Sequence, residues 1–364
     1  MGATGGGPGA RHRRRGRDRP GSGRVSRTGR TLVLAAAVLA LAAALLIGVL
    51  TGPAGLTVRG VVLDLLDAIP GVRIDSGLTA QQHAILWQIR LPRVVLGAVV
   101  GATLALAGAA YQGVFRNPLA DPFLLGVSSG AGLGATVAIV SGAALGTAGV
   151  PVAAFVGGIV AVAATYSLGR GVGGARSEVV IILAGVAVAA FANAVQTFLQ
   201  QRNDDTLRQV YHWLLGSLGT DGWTEVAVVL PYVVVAAAVI GLHRRVLDVM
   251  AVGDVEAASL GVHPARVRLT LVAAATLGTA AVVSVSGLIG FVGIVVPHAI
   301  RLVVGPGHRL LLPLSLLLGA AFLVLADVVA RTAMSPAELP IGVVTAAIGA
   351  PFFLLVLRRG RGAL

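Results

Sequence analysis

The chain has 364 residues, of which 56% are hydrophobic and 12% charged, and its mean hydropathy is +0.89. This composition excludes a soluble globular protein, which typically carries about 25% charged residues, and indicates an all-α polytopic membrane protein. The absence of cysteine excludes disulfides and thiolate metal sites. All 28 basic residues are arginine, so a phosphate-binding P-loop, which needs a lysine, is excluded as well.

The amino-terminal segment is strongly basic, with nine arginines in residues 11–30. Its place directly before an apolar segment favours contact with anionic membrane lipid over nucleic acid, and it holds the amino terminus inside. Its Gly, Pro and Ser content predicts a disordered cytoplasmic tail over residues 1–30. The apolar segment 31–50 is long for a signal peptide and no clear cleavage site follows it, so we predict a retained first helix.

Apolar segments long enough to cross about 30 Å of hydrocarbon recur along the chain and predict about ten transmembrane helices. The predicted spans are residues 31–50, 91–112, 122–142, 149–169, 178–200, 224–242, 267–286, 288–304, 311–330 and 341–357. They form a transmembrane domain over residues 31–358, and residues 359–364 form a second cytoplasmic tail. This topology places 21 arginines inside and seven outside, as the positive-inside rule requires.

Two loops between spans are longer than simple turns. The outer loop, residues 51–86, contains VRGVVLDLLDAI, whose apolar spacing beside Asp64 and Asp67 predicts a short surface helix. The inner loop, residues 243–264, predicts a second short helix, with Asp254 as its N-cap and Gly261 at its end.

The second predicted span has a face of small residues at Gly97, Gly101, Ala105 and Gly108. Small residues let helices approach closely in lipid, so we predict that this face packs against another helix. The following segment, residues 116–122 (RNPLADP), cannot continue the helix, because its prolines remove amide donors. It is either an interfacial turn or a broken helix that lines a pathway.

Few polar groups interrupt the later spans. Asp327 is the one carboxylate well inside a span, and we predict a structural salt bridge to Arg331 four residues later. His298 and Arg301 lie near the inner end of the eighth span, where helix-end hydrogen bonds and lipid contact are expected. A single histidine without a second ligand predicts no metal site, and no cofactor is expected.

Six motifs occur in a fixed order along the chain. They are RLPR at 90–93, RNPLADP at 116–122, GVSSGA at 126–131, DVEAASLGV at 254–262, GFVGIVVPHAIR at 290–301 and ELPIGVVTAAIGAPFF at 338–353. With these motifs the chain resembles, over residues 35–358, the FecCD-type permeases of ATP-driven importers of iron-siderophores and cobalamin. The resemblance implies a multi-pass permease of the bacterial inner membrane with both termini cytoplasmic.

The family's organisation implies the partners. Two ten-helix permeases enclose one pathway, two ATPase subunits bind inside, and a substrate-binding protein docks outside. The chain itself would then be no enzyme, and ATP hydrolysis would take place on the separate ATPase subunits. Whether the second permease is an identical or a different chain stays open, and no nucleic acid is expected.

The resemblance also implies roles for individual residues. Docking of the binding protein is expected at Arg90, Arg93 and Arg331. Coupling to the ATPase is expected at Gly253, Asp254, Glu256, Ala257, Leu260 and Gly261. A gate or pathway constriction is expected at Asn117, Pro118, Leu119, Arg176 and Ser177.

Ferric siderophore is the first expected cargo, with haem and cobalamin as alternatives. An ion-coupled secondary transporter is the alternative of another class, and a membrane-embedded enzyme is a further one. A coupled carrier should show intramembrane carboxylates or histidines without partners, and only Asp327 comes close to this. An enzyme should show a nucleophile–base pair or a metal cluster, and the sequence contains neither.

Overall fold

A computed structural model describes residues 27–52, 55–142, 148–171 and 178–360, and these residues contain helices and no strands. Seven helices are long and apolar enough to cross a membrane. They are α1 (Arg27–Leu50), α4 (Leu91–Val114), α6 (Gly149–Gly171), α7 (Glu178–Gln201), α9 (Thr224–Leu242), α12 (Pro264–Ser286) and α14 (His308–Thr332). Each coincides with a predicted span to within a few residues. Helix α1 begins at Arg27, so the last four residues of the predicted tail are helical.

The other three predicted spans form shorter apolar helices. They are α5 (Val127–Val140), α13 (Val292–Val304) and α15 (Ile341–Gly360). At about 1.5 Å per residue, the 14 residues of α5 and the 13 of α13 are too few to cross the hydrocarbon alone. Both spans were predicted too long, because left-handed residues, Gly126 before α5 and Phe291 before α13, interrupt the helical backbone.

Five short helices complete the α-helical elements: α2 (Val58–Asp67), α3 (Ala80–Ile85), α8 (Leu207–Leu214), α10 (Arg244–Met250) and α11 (Asp254–Ser259). Helices α2 and α11 confirm the two helices predicted in the long loops, whereas α3, α8 and α10 were not predicted. A capping box of Thr79 and Gln82 starts α3. One π-helical turn, Leu86–Arg90, then joins α3 to α4.

Helix α4 lies at the centre of the core and packs on α14 and α13 through its glycines. A methyl group on Gly101 would collide with the carbonyl oxygen of Gly319, and one on Gly319 with that of Gly101. Seven residues further along α4, a methyl group on Gly108 would collide with the carbonyl oxygen of Gly293. These contacts confirm the predicted helix-packing face, since backbones this close tolerate no side chain.

Helices α5 and α6 form a second pair of this kind. Gly130 and Gly157 face each other in the same reciprocal way, and Gly134 faces the backbone of Ala153.

Side-chain contacts define the two ends of the bundle. At one end, Arg93 of α4 meets Asp327 near the end of α14. At the other, Asp254 of α11 meets Arg268 near the start of α12. We refer to these as the Arg93 end and the Asp254 end.

Candidate functional site

The Arg93 end carries a cluster of charged side chains built around Asp327. The Arg93 guanidinium lies 2.9 Å from one carboxylate oxygen of Asp327, and the Arg331 Nε lies 2.9 Å from the other. Arg93 also donates two hydrogen bonds to Glu338, at 3.0 and 2.8 Å. The predicted Asp327–Arg331 pair is therefore confirmed, and Arg93 is a second cation that neutralises the same buried carboxylate.

Two arginines of this end also bind the last turn of α1. Arg90 donates to the carbonyl oxygens of Val49 and Leu50, at 2.6 and 3.0 Å. Arg331 donates to those of Thr51 and Gly48, each at 3.0 Å. Carbonyls in the last turn of a helix have no partners within the helix, so these guanidinium groups serve as C-terminal caps for α1.

All three arginines predicted to dock a binding protein are thus engaged within the chain. Arg90 is only 6% exposed, and contact with another protein would require it to leave the end of α1. Arg93 and Arg331 retain a small exposed fraction. Docking by these residues stays a prediction.

Glu338 is the accessible member of the cluster, since 49% of its side chain is exposed. Hydrogen bonds from Arg93 lower the pKa of its carboxyl. Sequence reasoning missed this residue, although the predicted topology placed Glu338 in the loop before the last span, at the same end as Arg93.

A second polar cluster fixes α2 against α3 and against the π-helical turn that precedes α4. The buried Asp64 carboxylate accepts hydrogen bonds from Trp87 Nε1 at 2.7 Å and from Ser76 Oγ at 2.9 Å, and its Oδ2 lies 3.0 Å from His83 Nδ1. Burial alone would raise the pKa of Asp64, but these hydrogen bonds outweigh it and hold the pKa below its ordinary value. Asp64 thus serves a structural purpose.

At the Asp254 end, helix α11 is tied to the start of α12 and to the end of α4. The Asp254 carboxylate lies 3.1 Å from Arg268 and 3.6 Å from Arg116. The prediction that Asp254 N-caps this helix was wrong, because Asp254 is its first residue and the N-cap is Gly253, at φ +144°. The two arginines attract the carboxylate away from the helix amides.

The far end of α11 agrees with the prediction. Gly261 adopts φ +81°, its amide donates to Ala258, and the amide of Val262 donates to Ala257. This double hydrogen bond is a Schellman motif, which stops the helix at a left-handed residue.

Helix α11 buries one side and exposes two large apolar side chains on the other. Ala257 is fully buried, whereas Val255 is 80% and Leu260 70% exposed. Glu256 is exposed beside them. The coupling residues predicted from the resemblance therefore lie together on one short, anchored helix and its two ends.

The predicted gate residues Asn117, Pro118 and Leu119 form an exposed turn at the same end. The side chain of Asn117 accepts a hydrogen bond from the Leu119 amide at 2.9 Å, and Arg116 before it adopts φ +47°. The other two gate residues, Arg176 and Ser177, lie outside the described residues. A gating role for this turn stays a prediction.

Directly after the turn, the Asp121 carboxylate accepts a hydrogen bond from the Phe123 amide at 2.7 Å. Burial raises the pKa of Asp121 to about 6.

Arg301 has a polar partner in the core that the sequence did not indicate. Its guanidinium donates to the side-chain oxygen of Gln112, whose amide nitrogen donates to the Gly293 carbonyl at 3.0 Å. This chain of hydrogen bonds links α4 to α13.

His298 lies edge-on to Phe352 on α15. Among the described residues, no group of three His, Asp or Glu side chains is arranged to hold a metal ion.

Comparison with known proteins gives a consistent match along the chain. Residues 32–359 match the model of the FecCD transport family. The chain is 42% identical over 356 residues to the cobalamin import system permease protein BtuC of Halobacterium salinarum, covering 89% of this chain and 95% of the relative. It is also 42% identical over 284 residues to the hemin transport system permease protein HmuU of Yersinia pestis, covering 76% of this chain and 84% of that protein.

A third relative and one solved structure extend the match. A probable iron chelatin transport system permease protein of Helicobacter pylori is 39% identical over 282 residues, covering 76% of this chain and 83% of the relative. The solved structure is a metal-chelate type ABC transporter in an inward-facing conformation. This chain is similar to that structure with a TM-score of 0.79 and 30% sequence identity, and the aligned region covers 90% of this chain and 99% of the solved one.

Proposed function

Because the chain belongs to the FecCD transport family, we propose that it carries a ferric siderophore inward, as the permease subunit of an ATP-driven importer. The chain is a multi-pass membrane permease of the ABC importer class, as its relatives are. Relatives named for cobalamin, hemin and iron chelatin share one kind of cargo, a bulky metal chelate. Cobalamin is the second candidate, because the similarity to the cobalamin permease extends over 89% of this chain.

The Asp254 end faces the cytoplasm in this proposal, so both termini are cytoplasmic. Arg116, Arg244, Arg245, Arg266 and Arg268 lie at that end, which agrees with the positive-inside rule. Two ATPase subunits would bind there and hydrolyse ATP, since this chain has no lysine for a P-loop. A binding protein would dock at the Arg93 end, and a second permease, identical or different, would complete the pathway.

The main support for the proposal is that α11 is anchored on one side and exposes large apolar side chains on the other. This helix is anchored through Asp254 and Ala257, and it presents Val255 and Leu260 to solvent at the proposed cytoplasmic face. Exposed large apolar side chains on an anchored element are suited to a cleft in another protein. Movement of the ATPase would then reach α12 and α4 through the Asp254 contacts with Arg268 and Arg116, as a rigid-body displacement.

Coupling is tested with Leu260→Ser in the assembled importer. The exposed side chain contributes little to folding, so we expect normal membrane abundance but a loss of at least about tenfold in cargo-stimulated ATP hydrolysis. Leu302→Ser is the matched control, because Leu302 is 69% exposed on α13 at the same end. Equal ATPase rates in the wild type and Leu260→Ser would reject the coupling role of α11.

Docking is proposed at the surface where Arg93 and Glu338 meet solvent. A carboxylate of the binding protein would compete with Glu338 for the Arg93 guanidinium, which suits bidentate pairing. Arg93→Glu should therefore weaken capture of the binding protein. Glu338→Gln should leave capture of the binding protein unchanged or strengthen it, because this substitution releases Arg93. Arg59→Glu on the exposed side of α2 is the charge-matched control.

The Asn117–Leu119 turn is proposed as part of the cytoplasmic constriction of the pathway. Cysteine pairs introduced at Leu119 of two neighbouring permeases would be cross-linked in a chain that has no native thiol. Transport that stops on cross-linking and recovers on reduction supports this role, and transport unaffected by complete cross-linking rejects it.

The cargo is identified by comparing uptake in cells that have the gene with uptake in cells that lack it. Both kinds of cell are grown under iron limitation and supplied separately with ferric siderophore, haem or cobalamin. Gene-dependent uptake of radiolabelled ferric siderophore supports the first candidate, and gene-dependent uptake of cobalamin alone replaces it with the second.

A further inference from the structure

The start of α14 is capped by a carboxylate from another helix. The residue before α14 is Gly307, which has no side chain to accept a hydrogen bond from the first turn. Asp248 of α10 supplies an acceptor, because its Oδ1 accepts a hydrogen bond from the His308 amide at 2.8 Å. Helix caps usually come from the residue next to the helix, whereas this one comes from 60 positions away. It therefore joins two helices as well as satisfying one amide.

The side chain of His308 contacts the same carboxylate. Its Nδ1 lies 2.7 Å from Asp248 Oδ1, and Nδ1 is the donor because an ionised carboxylate only accepts hydrogen bonds. His308 is 4% exposed, so the contact is shielded from water, and a hydrogen bond to a charged acceptor is strong in such a place. We refer to these two hydrogen bonds as the Asp248–His308 joint between α10 and α14.

Apolar packing holds α10 at the same place. Leu247 and Met250 of α10 are buried, and α10 packs against both α14 and α4. Near the end of α4, a methyl group on Gly113 would lie 2.6 Å from His308 Nε2 and 3.0 Å from Leu247. A glycine here leaves the room that both side chains need, so α10, α14 and the end of α4 meet at one closely packed point.

Helix α10 leads directly into α11, since only residues 251–253 separate the two helices. Helix α11 is itself anchored to α12 and to the end of α4 through Asp254. With that anchor alone, α11 would be free to pivot about Asp254 when a partner protein pushes on it. The joint at Asp248 is a second anchor and opposes this pivoting, so a displacement of α11 is passed on to the bundle.

We infer that Asp248 and His308 are positioning residues of the importer, which couple movement of α10 and α11 to α14. The role of the ATPase in this inference rests on the proposed function, whereas the joint itself does not. Helix α14 has 25 residues, about 37 Å at about 1.5 Å per residue. It begins at His308 and carries Asp327 near its other end, so it extends from the joint to the charged cluster where docking is proposed.

Capping of α14 alone would be a simpler role for Asp248. In that case only the hydrogen bond from the His308 amide matters, and any side chain that fills the space would replace the imidazole. His308→Leu and His308→Asn distinguish the two roles, because both retain the backbone amide. Leucine removes the side-chain donor, whereas the amide nitrogen of asparagine is attached to Cγ, as Nδ1 is, and can donate to Asp248.

The joint is tested in the full chain, purified in a mild detergent, by hydrogen–deuterium exchange of the backbone amides. In His308→Leu and in Asp248→Ala, we expect the amides of residues 244–250 to exchange about tenfold faster or more, and those of α2 at the opposite end to keep their rates. His308→Asn should retain the wild-type rates. The control is His243→Leu, because the His243 ring bonds to the Val239 carbonyl of α9. Wild-type exchange of α10 in His308→Leu would overturn the inference.

Coupling is tested in the assembled importer, as the ratio of ATP hydrolysis with and without cargo-loaded binding protein. His308→Leu and Asp248→Ala should each lower this ratio about fivefold or more, and His308→Asn should retain it. The double variant should be no worse than either single variant, because both act through one contact. A wild-type ratio in His308→Leu would overturn the coupling role. A lower ratio in Asp248→Ala alone would also overturn it and would make Asp248 a contact of the ATPase.

The two measurements distinguish failure of this inference from failure of the proposed function. If the wild type shows no cargo-stimulated hydrolysis while exchange responds as expected, the proposed function and the coupling role are wrong and only the joint stands. If the wild type is stimulated by cargo and His308→Leu changes neither exchange nor stimulation, the inference is wrong and the proposed function stands.

Discussion

Arg93 and Asp327 are 234 residues apart in the chain, and their side chains meet at 2.9 Å at one end of the helix bundle. The same Asp327 also holds Arg331, so one buried carboxylate fixes the ends of α4 and α14 and, through Arg331, the end of α1. Removing one partner from a buried ion pair costs far more than the pair contributes, because the remaining charge stays buried.

Asp327→Asn should therefore be strongly destabilising. We expect the free energy of unfolding to fall by about 3–5 kcal/mol, since two guanidinium groups lose their carboxylate. Equilibrium unfolding of the purified protein in mixed micelles measures the change. Glu338→Gln is the control and should cost about 1 kcal/mol or less, because the half-exposed Glu338 is screened by solvent. Equal losses for both variants would contradict this view of the cluster.

Stability should depend on pH through Glu338. Hydrogen bonds from Arg93 lower the folded-state pKa of Glu338 below the ordinary value of 4.5. The stabilisation is therefore fully present above about pH 4.5 and is lost as the pH falls through the lower folded pKa. Melting temperatures of the wild type and Glu338→Gln should differ at pH 6 and converge at the acidic end. A constant difference over this range would show that Glu338 contributes through something other than its charge.

Two glycines on the same face of α4 should respond differently to alanine. In Gly101→Ala the new methyl group would collide with the backbone of Gly319, and we expect a loss of about 1–3 kcal/mol in the free energy of unfolding. In Gly97→Ala the methyl group would lie 3.1 Å from the end of the Leu218 side chain, so a shift of a few tenths of an ångström in a side chain, and none in a backbone, makes room for it. Unfolding in mixed micelles distinguishes the two, and a larger loss for Gly97→Ala would contradict the packing described here.

The left-handed end of α11 can be tested at Gly261. Alanine at φ +81° would strain the backbone by roughly 1 kcal/mol or more, whereas asparagine tolerates this conformation better. Gly261→Ala should therefore lower cargo-stimulated ATP hydrolysis more than Gly261→Asn, with both proteins present in the membrane at wild-type levels. The reverse order would show that the space at Gly261, and not its backbone angle, matters.

Long apolar segments could be predicted from sequence because length and hydropathy are local properties. The predictions that the structure contradicts concern places where a distant residue or a single backbone angle determines the local structure. Asp254 has the chemistry of an N-cap, but Arg268 and Arg116 attract its carboxylate. The segment before α13 is as apolar as the helix itself, and only the left-handed Phe291 separates the two.

The charged cluster could be predicted only in part. Asp327 and Arg331 are four residues apart on one helix, so their pairing follows from helical geometry. Arg93 and Glu338 join them only once α4 and α14 pack together, and no local pattern connects residues so far apart. The same applies to Gln112, whose partner Arg301 lies 189 residues away.

The reciprocal glycine contacts fix the axial register of two helix pairs. Sliding α14 along α4 by one residue, about 1.5 Å, would push Ala105 of α4 against the α14 backbone at Gly319, or Leu323 of α14 against the α4 backbone at Gly101. The Gly130–Gly157 contact constrains α5 and α6 in the same way. Sliding within either pair is therefore sterically opposed, and we expect a rearrangement that opens a pathway through the bundle to leave both pairs intact and to involve the contacts around them.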